Sequence, residues 1–466
     1  MSNDVRKRSA KVEAIASCWP MITALLGGTS AMRDAGKIYL PQWPNEDGGF
    51  YKNRLNTATL FPAFARTIEV LSGKPFSRPV TWDEKKVPEN IQAMFPDIDM
   101  QGTNLHSFLA SICEEAMGYG ICGILVEHPP SETGLSKAEE KRRGLRPYFA
   151  KIAGNSLLDF DSKRIDGQET FTMLRFVEVV SERDPANEFV EKQIEQVRVL
   201  NIGKWRTYRE KKNETTGVVE WALHDEGTTS LQKITFVPVY GDRIGFMQAK
   251  PPMAELAFLN VEHWQSKSDQ QTILHVARVP ILFGRNLGDA PITVGAASAI
   301  VADEDNADLK YVEHTGKAIE AGRNDLRDLE DLMRQIGAEL LVIKPGRQTV
   351  AQTVSDNEPG TCALQRIVGD LTDAANLALE YMADWIGETD GGSITIFRDF
   401  GATTLAEASA ELLMDMNVAG TLSDETMFYE MQRRGLINSD VKWLEEKGRI
   451  ASQPPKATKV STTLTG

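Results

Sequence analysis

The stretch "PPMAELAFLNVEHWQSKSDQQTILHVARVPILFG" (251–284) constrains the fold more than any other. Two prolines open it, and a helical run of roughly 25 residues follows, about 37 Å at about 1.5 Å per residue. It then turns strand-like at "RVPILFG". The helical part has no clean apolar stripe, because Leu256, Leu259 and Trp264 are interleaved with Asn260, Gln265, Ser266, Lys267 and Ser268. Glu255, Glu262 and Asp269 recur every seven residues, so they line one face with a drift of about 20° per step. A helix of this length with so little to bury is not the centre of an ordinary core.

A second long helix, "GKAIEAGRNDLRDLEDLMRQIGAELL" (316–341), follows a strand-and-loop insert over about 278–313. Its apolar positions Ile319, Leu326, Leu329, Met333, Ile336 and Leu340 form a narrow seam, and Asp325 and Asp328 add a further acidic face. Two long helices flanking an insert predict an antiparallel hairpin that projects from the body. Such a hairpin is marginal alone. Copies set side by side in a closed ring would bury its seams between neighbours.

The rest of the chain divides around this hairpin. Residues 1–36 read as helical, ended by Gly27 and Gly28, and "KIYLPQWPNEDGGFYKNRL" (37–55) reads as an aromatic, Pro- and Gly-rich loop. Helices are expected from Leu60 to Gly73 and over about 104–118, then a strand "ICGILVE". From 146 to 250 the two-residue alternation of a meander dominates. Beyond the hairpin, 344–360 is a polar loop. Leu364, Ile367, Leu371, Ala375, Ala378, Met382 and Trp385 then form the cleanest amphipathic face in the chain, stopped by Gly387. The strand "SITIFRDF" (393–400) precedes three short helices over about 404–449, with Thr404 and Glu407 as a capping box and Gly420 and Gly435 as stops. The tail from 451 is expected to be disordered. The fold class is therefore α+β.

Size and charge narrow the function. A chain of 466 residues and 51.6 kDa is long for one core, so two or more lobes are expected. A net charge of −14 argues against a broad basic surface that grips nucleic acid, though not against one that lets DNA slide past. No apolar run approaches the ~18 residues that cross a bilayer, and the N-terminus does not read as a signal peptide, so a cytoplasmic origin is expected. Cys18, Cys113, Cys122 and Cys362 are widely spaced and read as free thiols.

Motifs for chemistry are weak. "GYGICG" places Gly118, Gly120 and Gly123 at G-x-G-x-x-G spacing, but the order is helix, glycines, strand, the reverse of a dinucleotide fold. No phosphate-loop or nucleophile-elbow motif occurs, and the six histidines are scattered. Asp303, Glu304, Asp305, Glu313, Asp325, Asp328, Glu330 and Asp331 form acidic runs. The last four alternate with Arg323, Arg327 and Arg334 at helical spacing, as on a solvated, salt-bridged face. No cofactor is expected, and the chain is not expected to be an enzyme.

Across about 35–450 the sequence resembles the portal proteins of tailed bacteriophages, in particular a subgroup long grouped as a domain of unknown function. The resemblance rests on "YLPQWPNEDGGFYKNRLNTATLFPAFARTIEVLSGKPFSRP", "LHSFLASICEEAMGYGICGILVEHP", "GAELLVIKPGR" through "LTDAANLALEYMADWIGE", and "ASAELLMDMNVAGTLSDETMFYEMQRRGLI". It implies a ring, commonly of twelve copies, at one capsid vertex of a virion, assembled in the host cytoplasm. DNA passes through the axial channel. On this mapping 1–250 is the wing (helices, then a strand-rich meander), 251–277 and 316–340 are the stem helices, and 278–315 is the clip. Residues 341–360 hold the tunnel loop, 361–400 the long wing helix and strand, and 401–450 the crown, with 451–466 as tail. Implied partners are other copies of the chain, the large terminase subunit, a head–tail adaptor, the major capsid protein or scaffold, and double-stranded DNA, with no membrane. Lys344, Arg347, Gln348 and Gln352 are the implied DNA-facing loop residues, and Glu255, Glu262, Asp269, Asp325 and Asp328 the acidic stem face. "EPGTC" (358–362) departs from relatives, which are often continuously helical there. The residues alone leave two other classes standing, a metal-dependent nuclease or hydrolase using the 303–331 carboxylates and another minor head structural protein.

Overall fold

The computed structural model describes residues 3–129, 139, 142–165, 167–184, 186–212, 219–278, 281–285, 308–312, 316–339, 362–398, 413–433, 436–438 and 441–453. The architecture is mixed α+β. The N-terminal helical region is three short helices: α1 (Ala10–Ala16), α2 (Trp19–Leu26) and α3 (Gly28–Ala35). Ser9 caps α1, and Pro20 sits in the first turn of α2, where a missing N–H costs nothing. Gly28, expected as a stop, opens α3 at φ +72°.

The aromatic segment 37–55 is also not all loop. Asp47 accepts the Gly49 and Phe50 N–H groups and so starts α4 (Gly48–Thr57), helical despite two opening glycines because the cap satisfies its free donors. Next come α5 (Ala63–Gly73), β1 (Thr81–Trp82), α6 (Glu89–Gln92) and α7 (Leu105–Tyr119), the last capped by Asn104.

The central sheet is antiparallel, in the order β3 (Tyr148–Ile152), β2 (Ile121–Glu127), β9 (Phe236–Tyr240). A meander of five consecutive strands intervenes: β4 (Leu157–Ile165), β5 (Gln168–Asp184), β6 (Asn187–Asn201), β7 (Lys204–Lys212) and β8 (Val219–Thr228). A small hairpin, β10 (Asp242–Gly245) with β11 (Gln248–Lys250), leads to α8 (Ala254–Ala277). The insert contributes β12 (Ile281–Arg285) paired antiparallel with β13 (Asp308–Val312), and α9 (Lys317–Glu339) returns. The long amphipathic helix is α10 (Ala363–Ile386). Cys362 and Gln365 form a capping box at its start, and Gly387 ends it in the left-handed conformation. The last strand is only β14 (Ile394–Thr395), paired with β1. A helical stretch at 413–418, α11 (Asp424–Arg433) and α12 (Trp443–Ser452) follow. Thr404, Glu407, Gly435 and the tail from 454 lie outside the described residues.

One continuous core joins α2, α5, α7, the central sheet, the start of α8 and α10. Six of the seven residues of β2 are buried, which explains its unbroken apolar run. The glycines of "GYGICG" serve packing. Gly120 caps α7 at φ +82°, where a Cβ would stand 2.5 Å from the backbone of Lys250 and Pro251, and at Gly123 a Cβ would stand 2.0 Å from the Phe236 ring. Gly123→Ala is expected to lower unfolding stability by about 1–3 kcal/mol through overpacking. Urea denaturation with unchanged m-value checks this, and a loss below about 0.5 kcal/mol contradicts it.

Candidate functional site: the two-helix hairpin and its socket

Several of the polar residues on α8 are not turned to solvent. Asn260, His263, Ser268 and Gln270 are all buried, alongside Leu256, Ala257 and Trp264. Asn260 bridges to the start of α5, its Oδ1 accepting the Phe64 N–H at 2.9 Å and its Nδ2 donating to the Phe61 carbonyl at 2.8 Å. Pro62 precedes α5 and offers no side-chain cap, so Asn260 supplies one from another element. Gln265 donates to the Tyr39 carbonyl at 3.0 Å.

The 37–55 segment folds around one cation. The side chain of Arg54 is 2% exposed and bonds bidentately to that of Glu46, 1% exposed, at 2.8 and 2.9 Å. Its Nη2 also donates to the Pro41 carbonyl at 2.8 Å, and its guanidinium lies 4.2 Å from the Trp43 ring centroid and 5.5 Å from that of Tyr51. The aromatic density of this stretch is therefore the wall of an arginine socket. Arg54 Nη1 also reaches Asp269 of α8 at 3.7 Å. The bond from Arg54 holds the Glu46 carboxyl below its ordinary range, whereas burial pushes the Asp269 carboxyl up against the opposing pull of Arg54.

α9 runs antiparallel against α8. Leu329 and Met333 are buried, and Ile319, Leu326 and Ile336 are partly so; the side chain of Leu340 lies outside the described residues. Gln270 donates to the Ile319 carbonyl at 2.9 Å and lies over Gly322, where a Cβ would stand 2.2 Å from its Oε1. His263 packs on Phe61 with ring centroids 5.2 Å apart, and its Nε2 is 3.5 Å from Glu330 Oε1, a contact without hydrogen-bond geometry at either ring nitrogen. Burial depresses the His263 pKa, with Glu330 opposing.

The expected acidic face divides accordingly. Glu255 and Glu262 on α8 and Asp325 and Asp328 on α9 are exposed. Asp269 is half-buried against Arg54, because the heptad drift has carried it round toward the body by the third repeat. The expectation that the polar pattern of α8 needs a neighbouring copy is also corrected, since α8 packs on α2, α4, α5 and α9 of its own chain. Lys344, Arg347, Gln348 and Gln352 lie outside the described residues, as do Asp303, Glu304, Asp305 and Glu313. Among the described residues no three His, Cys, Asp or Glu side chains converge as metal ligands; Asp331 pairs with Arg334. Arg54, Glu46 and Asn260 escape a reading by periodicity, because Arg54 and Glu46 pair across an irregular turn 8 residues apart and Asn260 acts on a backbone group 196 residues away.

A family model described as "Domain of unknown function (DUF4055)" matches residues 252–386, from just before α8 to the last residue of α10. No curated protein matches the chain. Two solved structures titled "Neck of empty GTA particle computed with C6 symmetry" and "Neck of native GTA particle computed with C12 symmetry" are each 12% identical with TM-scores of 0.41. They cover 80% and 81% of this chain and 90% and 89% of their own. A third, "Virion of native gene transfer agent (GTA) particle", is 11% identical over 89% of this chain and 97% of its own, with a TM-score of 0.40.

Arg54→Met strands the buried Glu46 carboxylate and is expected to cost about 3–5 kcal/mol by chemical denaturation. Asn260→Ala is expected to cost about 1–3 kcal/mol, because the Phe64 N–H loses its acceptor. His263 titrates lower in the folded chain than unfolded, so between its folded value and the ordinary value near 6.5 the unfolded state binds more protons. Its contribution is present above that window and lost as pH falls through it. The melting temperature is therefore expected to drop from pH 7.5 to 5.5, and to drop less in His263→Gln; equal drops would refute the assignment.

Proposed function

We propose that the chain is the subunit of a closed ring that forms a DNA channel at one vertex of a phage-type capsid. The observation that carries this reading is the hairpin of α8 and α9. It is anchored in the body at one end by Asn260, Gln265 and Arg54, it has a two-stranded ladder after α8, and it presents Glu255, Glu262, Asp325 and Asp328 outward. A conduit must not hold DNA, since every neutralised phosphate adds affinity and hence friction, and exposed carboxylates on the channel wall avoid that. The sequence resemblance assigns the same hairpin to the stem and the β12–β13 ladder to the clip, which would meet the terminase large subunit and later a head–tail adaptor. Lys344, Arg347, Gln348 and Gln352 would then touch the DNA lightly from the tunnel loop, and the body would face capsid protein or scaffold.

The role in this reading is structural. The acidic residues of α9 alternate with arginines along an exposed face, and no observation in the described residues favours the nuclease alternative. Native mass measurement and negative-stain images of the purified full-length chain test the proposal. A ring-sized homo-oligomer with a central hole, near twelve copies, is expected. A chain that stays monomeric at every salt and protein concentration tried would sink it, and a shell-like or irregular assembly would favour another head protein.

A further inference from the structure

Between β1, the turn at 92–96 and the start of α7 lies an open groove of about 350 Å³. Val80, Trp82, Phe95, Pro96 and Leu105 supply most of its wall. The Trp82 ring meets that of Phe95 edge-on, with centroids 4.8 Å apart, and stays 38% exposed. The polar groups in the wall are already engaged. Gln92 Oε1 accepts the Trp82 indole N–H at 3.3 Å, Asn104 Oδ1 accepts the Ser107 N–H at 2.8 Å, and His106 Nδ1 accepts the Val80 N–H at 3.4 Å. The groove therefore suits apolar side chains and not a polar small molecule.

The last described helices attach at its rim. Arg78, next to Pro79 in the wall, donates to the Gln432 carbonyl of α11 at 3.3 Å. The Gln432 side chain in turn donates to the Val441 carbonyl at 3.0 Å, two residues before α12. α12 then rises about 15 Å at about 1.5 Å per residue. Gln453, which caps it, is already extended at φ −74° and ψ 144°, and Pro454 and Pro455 keep the chain from resuming the helix.

Thirteen residues follow Gln453, "PPKATKVSTTLTG". Seven steps from Gln453 reach Val460, about 23 Å at about 3.3 Å per residue, which is longer than α12 and lets the chain run back toward the rim. Thr458, Val460, Thr462 and Leu464 alternate with Lys459, Ser461, Thr463 and Thr465. That is the period-two, β-branched pattern of an extended segment, with its two large apolar side chains on one edge. Alone, so short and polar a segment has nothing to bury.

We propose that residues 458–465 lie extended in this groove of their own chain, with Val460 and Leu464 against Trp82, Phe95 and Pro96. Grooves of this kind take an extended segment by its alternate side chains. The tail then straps α11 and α12 to the body at a second point beside the Arg78–Gln432 bond. One copy suffices, so the docking stands apart from the ring reading.

The test puts a benzophenone amino acid in place of Leu464 in full-length chain, mixes nitrogen-15-labelled with unlabelled protein, irradiates, and maps the links by mass spectrometry. Links to residues 79–106 within one chain are expected. In a separate sample, Val460→Asp combined with Leu464→Asp is expected to speed amide exchange over 79–83 about fivefold or more and to leave β2 and α7 unchanged. A synthetic peptide of residues 454–466, added in excess to that variant, is expected to restore the protection. Links that fall elsewhere or do not form, or exchange unchanged in the double variant, overturn the docking. Links to 79–106 found only between differently labelled chains overturn the same-chain assignment and make the tail a contact between copies.

Discussion

The position of α8 depends on a buried cation carried by α4: Arg54, set against Trp43 and Tyr51 and neutralised by Glu46. A guanidinium 2% exposed is tolerable only because its donors are matched to a carboxylate and a carbonyl in fixed geometry. That requirement orders the whole 37–55 segment, and the ordered segment in turn offers the Tyr39 carbonyl to Gln265 and the arginine itself to Asp269. Polar burial is thus the means by which the hairpin is seated. An apolar seam fixes depth but tolerates sliding, whereas paired donors and acceptors accept one register.

The same logic explains which parts of the fold were readable from residue patterns. α5, α7, α10 and the meander announce themselves by periodicity, because each buries one face against an apolar layer. The C-terminal end of α10 is equally plain, since Gly387 is the left-handed stop its position requires. The 37–55 segment was opaque for a physical reason: a single side chain, Asp47, starts α4, and the aromatics around it wrap a cation, so neither leaves a repeat to detect. The split of 1–36 into three helices likewise turns on Pro20 and on Gly27, whose Cβ would stand 2.5 Å from that of Ala31.

The candidate site was legible in outline and misread in cause. The hairpin, its insert and the exposed Glu255, Glu262, Asp325 and Asp328 follow from composition and spacing. The poverty of apolar residues on α8 points to burial against a neighbouring copy, yet Asn260, His263 and Gln270 are buried within one chain. Periodicity arguments count apolar residues as buried and polar ones as exposed. They fail on a helix whose buried positions are filled by groups that bond to backbone atoms of distant elements.

That correction strengthens the ring reading more than it weakens it. If α8 had needed a neighbour to bury its polar face, the monomer would lack a defined hairpin and assembly would have to build one. With Asn260, Gln265 and Gln270 already seated, each copy brings a hairpin held at a fixed angle, and association need not bear the cost of ordering it.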